Sequence, residues 1–251
     1  MSEIIIVGGG FAGVWAALAA SAARRRIGAD ASSVAVTLVS RDPWLTIRPR
    51  LYESSLDQTR VPLDSILAPA AVGYLAGEVN AIDAAARTVT VSAASGPRDV
   101  PYDRLILAAG SQVHLPAIAG IERARSVDTF AQAAALGRHL AALPGLPDRA
   151  GRFTAVVVGA GFTGIEVASE LASRVRTLAG PRRGEVVLVD RAPAVAGDLG
   201  PDARRHVEQA LAALDIEWRP GAAVSAIAAD GVALASGDFI PAATTVWTGG
   251  F

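Results

Sequence analysis

One glycine pattern, met twice, constrains this chain more than any other feature. Gly8-Gly9-Gly10-Phe11-Ala12-Gly13 follows the β-branched run Ile4 to Val7, and Gly159-Ala160-Gly161-Phe162-Thr163-Gly164 follows Val156 to Val158. With 25 glycines among 251 residues, one G-x-G-x-x-G arises by chance in about one chain in four of this length. A pair set in matching flanks does not. IIIVGGGFAGVWAALAA and AVVVGAGFTGIEVASEL align without a gap at an offset of 151 residues. The next runs, LVSRDP (Leu38 to Pro43) and LVDRAP (Leu188 to Pro193), align at an offset of 150. Each copy reads as a buried strand, a tight turn, a helix and a second strand.

The chemistry of such a loop follows from its spacing. The first glycine permits the turn, the second lets backbone approach a pyrophosphate, and the third (Gly13 or Gly164) lets the helix pack against its strand. Unpaired N–H groups and the positive end of the helix dipole then face the phosphates. An acid ending the second strand would accept hydrogen bonds from a ribose. Copy two offers Asp190, which could also serve only as a strand-end turn residue. Copy one has Ser40 at that place, with Asp42 two residues on, and its ribose contact is ambiguous. Two loops in one chain suggest two different nucleotides, and a hydride-carrying dinucleotide needs an acceptor within contact range, most commonly a flavin.

Composition removes competing readings. The 23 basic residues are all arginine, so Schiff-base chemistry and a Walker-type GK[ST] loop are excluded within these residues. No cysteine is present, which excludes disulfide frameworks, thiol catalysis and Cys-ligated metals here. Three scattered histidines, His114, His139 and His206, make a metal site improbable. A net charge of −1 gives no reason to expect nucleic acid as a partner. The uncharged stretch Ile4 to Ala23 imitates a membrane span or signal peptide, but it lacks a basic n-region and three glycines interrupt it. A strand, turn and helix are expected there.

Between the copies, Leu75 to Ser111 predicts a small antiparallel meander turning near Ala94 to Arg98, then a short buried strand, Leu105 to Ala108. Leu115 to Arg125, rich in proline and alanine, reads as a linker. A helix is expected at about Pro201 to Leu214, followed by short strands ending at TTVWTGGF, with Gly237-Asp238 as a hairpin turn.

These pieces resemble the FAD- and NAD(P)H-dependent pyridine nucleotide oxidoreductases, and within them type II NADH dehydrogenases (NADH:quinone oxidoreductases). GGGFAG, RPRLYE (Arg48 to Glu53), YDRLILAAGS (Tyr102 to Ser111), GAGFTGIEVASEL and IPAATTVWTGG carry the resemblance from end to end. It implies an α/β chain of two Rossmann-like dinucleotide-binding domains, each a parallel sheet flanked by helices with a small antiparallel meander. The domains expected are 1–112 for FAD, 113–247 for NAD(P)H, and 248–251 as the start of the return into the FAD domain. That last domain is expected to lack its final part, and to retain FAD poorly without it. FAD contacts are implied at Gly8, Gly10, Phe11, Ala12, Gly13, Ser40, Arg41, Ala109 and Gly110, with Arg48 and Pro49 near the isoalloxazine. NADH contacts are implied at Gly159, Gly161, Phe162, Thr163, Gly164, Glu166 and Asp190.

The resemblance also assigns a reaction. NADH passes hydride to FAD, and electrons leave to a quinone or, as the alternative, a small redox protein of the ferredoxin or rubredoxin type. With no cysteine in the chain, an internal disulfide cannot be the acceptor. Glu166, replaced by Trp15 in copy one, is the candidate catalytic residue, either positioning the nicotinamide or relaying a proton; Glu170 reads as structural. Asp190 predicts NADH over NADPH, whereas Arg191, Arg182 and Arg183 could each pair with a 2′-phosphate. A homodimer, and attachment to the cytoplasmic face of a membrane through a part not in this chain, are compatible with the resemblance, as is a cytoplasmic protein. A nucleotide-binding fragment without turnover is the remaining alternative.

Overall fold

The computed structural model describes residues 2–197 and 199–250. The chain divides into two compact units, Met1–Ile47 with Asp57–Ser111, and Arg48–Leu56 with Gln112–Phe251. Met1 and Phe251, the ends of the domain ranges expected from sequence, lie outside the described residues.

Unit 1 contains β1 (Ser2–Val7), α1 (Phe11–Arg26), β2 (Val34–Ser40), β3 (Trp44–Thr46), β4 (Arg60–Pro62), α2 (Leu63–Leu67), β5 (Gly73–Ala76), β6 (Glu78–Asp83), β7 (Thr88–Ala93), β8 (Gly96–Pro101) and β9 (Arg104–Leu107). Its main sheet is parallel in the order β5-β2-β1-β9, and β6-β7-β8 form an antiparallel meander. A strand buried on both faces needs apolar residues at consecutive positions, and β1 supplies them. Ile6 packs with Val14 and Ala17 of α1, while its neighbour Ile5 packs with Val89 and Val91 of the meander. The sheet is thus the middle of three layers.

Unit 2 repeats this plan with α3 (Phe130–Ala142), β10 (Thr154–Val158), α4 (Phe162–Ala179), β11 (Glu185–Val189), α5 (Pro201–Ala213), β12 (Ile216–Arg219), β13 (Val224–Ile227), β14 (Gly231–Leu234), β15 (Phe239–Pro241) and β16 (Thr244–Trp247). The parallel order is β12-β11-β10-β16, and β13-β14-β15 are antiparallel. Ala155 and Val157 face α4, while Val156 and Val158 face Val232, Leu234 and Ile240 of the antiparallel layer. Two halves with one strand order and one layer sequence are the fold that the glycine repeat predicts. Gly237-Asp238 forms the expected turn, with Gly237 N–H donating to Leu234 O at 3.0 Å.

Three expectations need correction. Arg48–Leu56 belongs to unit 2, so the range 1–112 is interrupted. Leu51 is 1% exposed within the core that also holds Val167, Ala168 and Leu171 of α4. The Arg48 guanidinium pairs with the Asp128 carboxylate, and its Nε donates to Asp128 O at 3.2 Å. Next, Leu115 to Arg125 is built into unit 2: Arg125 N–H donates to Thr245 O and Trp247 N–H to Arg125 O, both at 2.8 Å. Finally, β9 is an edge strand. Among the described residues it pairs only with β1, leaving Ile106 37% and Leu107 61% exposed.

One buried polar contact ties α3 to β16. A guanidinium can only donate, so the 2.8 Å contact of Arg125 Nη2 with His139 Nδ1 leaves the proton on Nε2, which donates to Thr244 Oγ1 at 3.0 Å. Burial first, and the Arg125 charge second, hold the His139 pKa down at about 4. An unfolded histidine titrates near ~6.5. On acidification the unfolded chain therefore binds a proton from about pH 6.5, which the folded chain refuses until about pH 4. Stability contributed by the neutral ring is complete above that window and declines through it. We expect the urea midpoint of unfolding to fall across this range, and His139→Gln to flatten the decline; equal pH slopes for both chains would contradict the assignment.

Candidate functional site

The two glycine loops occupy the same place at the carboxyl ends of the two parallel sheets. Gly8 N–H donates to Val39 O at 2.8 Å, and Gly159 N–H to Val189 O at 2.9 Å. On the other side, Ala108 N–H donates to Val7 O at 2.8 Å and Thr248 N–H to Val158 O at 2.9 Å. Val14 N–H reaches Gly10 O, and Ile165 N–H reaches Gly161 O, both at 3.0 Å. In these backbone bonds the two loops match.

The three glycines of each loop answer to different demands. Gly8 and Gly159 have φ of +116° and +110°, and an added Cβ would lie 2.1 Å from Ala108 O at the first and 2.9 Å from Gly249 N at the second. At Gly13 and Gly164 it would lie 1.8 Å and 1.7 Å from the carbonyl oxygens of Gly8 and Gly159. These four glycines are required by the chain itself. Gly10 and Gly161 are not: their φ values of −80° and −74° suit any residue, and an added Cβ meets nothing within 4 Å. A bare cradle lies in front of each.

Donors line both cradles. Helix α3 begins with a full capping box, in which Thr129 and Gln132 satisfy its first turn. α1 and α4 start at Gly10 and Gly161 with no side-chain cap. The N–H groups of Phe11, Ala12 and Gly13, and of Phe162, Thr163 and Gly164, thus stand at the positive ends of two helices without side-chain acceptors. Backbone donors plus a space that nothing in the chain fills fit the pyrophosphate of a dinucleotide in each unit. FAD and NADH both carry that group.

Side chains differentiate the copies. Asp190, following β11, is committed twice: Oδ2 accepts from Ala160 N–H at 2.6 Å and Oδ1 from Ala192 N–H at 2.8 Å. It therefore braces the loop, with further lone pairs left for a ribose. In unit 1 Ser40 takes its place, its Oγ lying 2.5 Å from where a Cβ of Gly9 would stand. Arg41 is exposed and sits 3.9 Å from Glu78. Ala109 and Gly110 follow β9 beside Gly8. Arg48 and Pro49 belong to the segment that packs in unit 2.

Glu166 lies on the exposed side of α4, one turn before Glu170. Partial desolvation by its neighbours holds its carboxyl above the ordinary carboxylate range. Tyr52, half-buried against the same core, has its phenol pKa raised by burial and then by the Glu166 charge. Sequence reasoning passed over Tyr52, which is far from Glu166 along the chain. It also passed over Thr248, whose Oγ1 donates toward Val158 O at 2.9 Å and Gly159 O at 3.1 Å, plugging the back of the second loop. A signal existed: LILAAG and TVWTGG align at an offset of 140, matching Thr248-Gly249-Gly250 to Ala108-Ala109-Gly110.

Two cradles of one build stand one in each unit, each shaped and lined for a pyrophosphate. The family model for pyridine nucleotide-disulphide oxidoreductases matches residues 2–251, and the chain belongs to that family. It is 43% identical to an NADH dehydrogenase-like protein of Mycobacterium tuberculosis, over 100% of this chain and 63% of that protein. It is 32% identical to the type II NADH:quinone oxidoreductase NdhA of the same species, over 99% of this chain and 56% of NdhA. The structure of NDH2 from Plasmodium falciparum in complex with NADH has the same fold, with a TM-score of 0.82 at 17% identity, covering 99% of this chain and 55% of that one. The chain spans about three-fifths of the length of these curated relatives.

The division of labour among the glycines is testable by single methyl groups. Gly161→Ala keeps stability within about 1 kcal/mol, because its Cβ enters open space, yet it weakens NADH binding at least about tenfold. Gly164→Ala costs roughly 3 kcal/mol, because its Cβ meets a backbone oxygen that cannot move away. Thermal unfolding and NADH titration of both variants check this; equal destabilisation by the two would contradict it.

Proposed function

We propose that this chain is the nucleotide-binding part of an FAD-dependent NADH dehydrogenase that passes electrons to a quinone. Unit 1 takes FAD and unit 2 takes NADH. One observation carries the reading: Gly10 and Gly161 each leave a space that nothing in the chain fills or requires. When bound, the flavin supplies the hydride acceptor and the pyridine nucleotide the hydride.

The chain's own part is binding and orientation. Backbone N–H groups at the starts of α1 and α4 hold the two pyrophosphates. Asp190 fixes the second loop through Ala160 and presents its remaining lone pairs to the ribose of the adenosine. Glu166 orients the nicotinamide end or holds a proton there, its partly desolvated carboxyl being a better proton acceptor than one in water. A quinone is favoured over a small redox protein by the relatives: NdhA, named for quinone, is 32% identical, whereas the ferredoxin reductase of Rhodopseudomonas palustris shares the fold at 19% identity. No helix among the described residues is long and apolar enough to cross a membrane. A location in the cytoplasm, or peripheral on the cytoplasmic face of a membrane, belongs to the same reading.

Spectroscopy tests the reading directly. With FAD bound, absorbance near ~450 nm should bleach on anaerobic addition of NADH and return on addition of a soluble quinone. FAD-loaded chain whose absorbance ignores NADH would contradict it; recovery with ferredoxin but not quinone would replace the acceptor.

A further inference from the structure

A buried cation stands at the opposite end of unit 2 from the glycine loop. Arg152 precedes β10 and is 5% exposed. Gly151 fixes its backbone: at a φ of +73° an added Cβ would lie 2.3 Å from Pro241 O, and Gly151 O accepts from Ala243 N–H at 2.8 Å. The guanidinium lies over the Phe153 ring, 4.7 Å from Cζ to the centroid. Nη1 donates to Leu146 O at 2.8 Å. Nε and Nη2, the donors of the other edge, are buried and have no hydrogen-bond partner among the described residues. Leaving such donors unmet is costly, and native structures seldom do it without a reason. One acid comes close. Asp148 Oδ1 is 3.3 Å from Nη2 without forming a hydrogen bond, and Oδ2 is 3.6 Å from Arg182 Nη2. The Asp148 side chain is 73% exposed, in a segment without regular structure, and a pair so open to water holds weakly. Glu185, which starts β11, is taken by Arg183 Nε at 2.9 Å and by Thr154 Oγ1 at 3.4 Å. Arg182 and Arg183 both precede β11, roughly 16 Å from Asp190 along an extended strand.

We propose that the unmet edge of Arg152, together with Arg182, is a site for a phosphate group, entered when the Asp148 carboxylate swings out to solvent. Nε–H and Nη2–H point the same way in the guanidinium plane and match two oxygens of one oxyanion. Asp148 marks the place. Its carboxylate bridges the two arginines as an oxyanion would, but it brings one charge to two cations and makes no hydrogen bond to Arg152. A phosphate group carries about two charges and three acceptor oxygens, enough to engage Arg152 through both donors and Arg182 as well. Gly151 holds the Arg152 backbone and Phe153 one face of its guanidinium, so the fork is preorganised and little side-chain freedom is lost on binding. This site lies at the amino ends of β10 and β11, whereas the glycine loop and Asp190 lie at their carboxyl ends.

Isothermal titration of the 251-residue chain with inorganic phosphate, at fixed ionic strength, tests the proposal. The wild-type chain should bind with a Kd of about 1 mM or tighter. Asp148→Asn, which removes the competing charge, should tighten binding about fivefold. Arg182→Ala, at an exposed position, should weaken it about tenfold. Arg152→Lys keeps the charge and loses the fork, and should weaken it by about as much. If Arg152→Lys does not fold, the Asp148 and Arg182 variants still decide the matter. Glycerol 3-phosphate separates the sources: binding equal to that of inorganic phosphate assigns the group of a small monoester, and its rejection assigns the free ion, with the site standing in either case. Phosphate held instead by the glycine loops would be indifferent to all three substitutions, and that result overturns the proposal. So does an Asp148→Asn chain that binds no better than wild type, or a wild-type chain that binds no phosphate at about 10 mM.

Discussion

The architecture depends on one close approach, that of the third glycine of each loop to the carbonyl oxygen of the first. At Gly13 and Gly164 there is room for a hydrogen and nothing larger. That contact lets α1 and α4 start immediately at the ends of β1 and β10, against the sheet, with their unpaired N–H groups facing outward. Moving either helix away by the width of a methyl group would open the layer in which Val14 and Ala17, or Val167 and Ala168, meet the strands. The same shift would turn the helix dipole off the cradle. Packing and binding therefore share one constraint.

The two copies diverge where the contact leaves freedom. Position 15 is Trp, 67% exposed, where copy two has Glu166, and Ser40 stands where copy two has Asp190. At these two positions unit 1 is uncharged, and Phe11, Trp15 and Leu107 beside the loop are all exposed. Unit 2 carries ionisable groups at the equivalent positions, one beside the expected ribose and one where the nicotinamide is expected. The two units thus share a scaffold and differ in the chemistry of its rim.

Features set by local spacing were legible in the sequence. The strand–turn–helix–strand order, both loops and the role of each glycine follow from residues within about thirty positions. The antiparallel layers and the α5 region were also readable from alternation and turn residues. What escaped depends on partners far along the chain. Arg48–Leu56 joins unit 2 through Leu51 in a core whose other members begin at Val127, and no local pattern encodes that. β9 reads as buried because its residues are apolar; its exposure comes from having a neighbour on one side only. Asp190 was legible as an acid at the right place, but its bonds to Ala160 and Ala192 required the folded loop.

The central claim is that two loops of one build hold two different dinucleotides, FAD at Gly8–Gly13 and NADH at Gly159–Gly164. Hydrogen exchange of the backbone amides, followed by mass spectrometry with each ligand added separately, tests it most directly. The account predicts that FAD slows exchange in peptides covering the start of α1 and that NADH slows it at the start of α4, each leaving the other loop unchanged. Protection of the α4 loop by FAD, or of neither loop by either ligand, would contradict it.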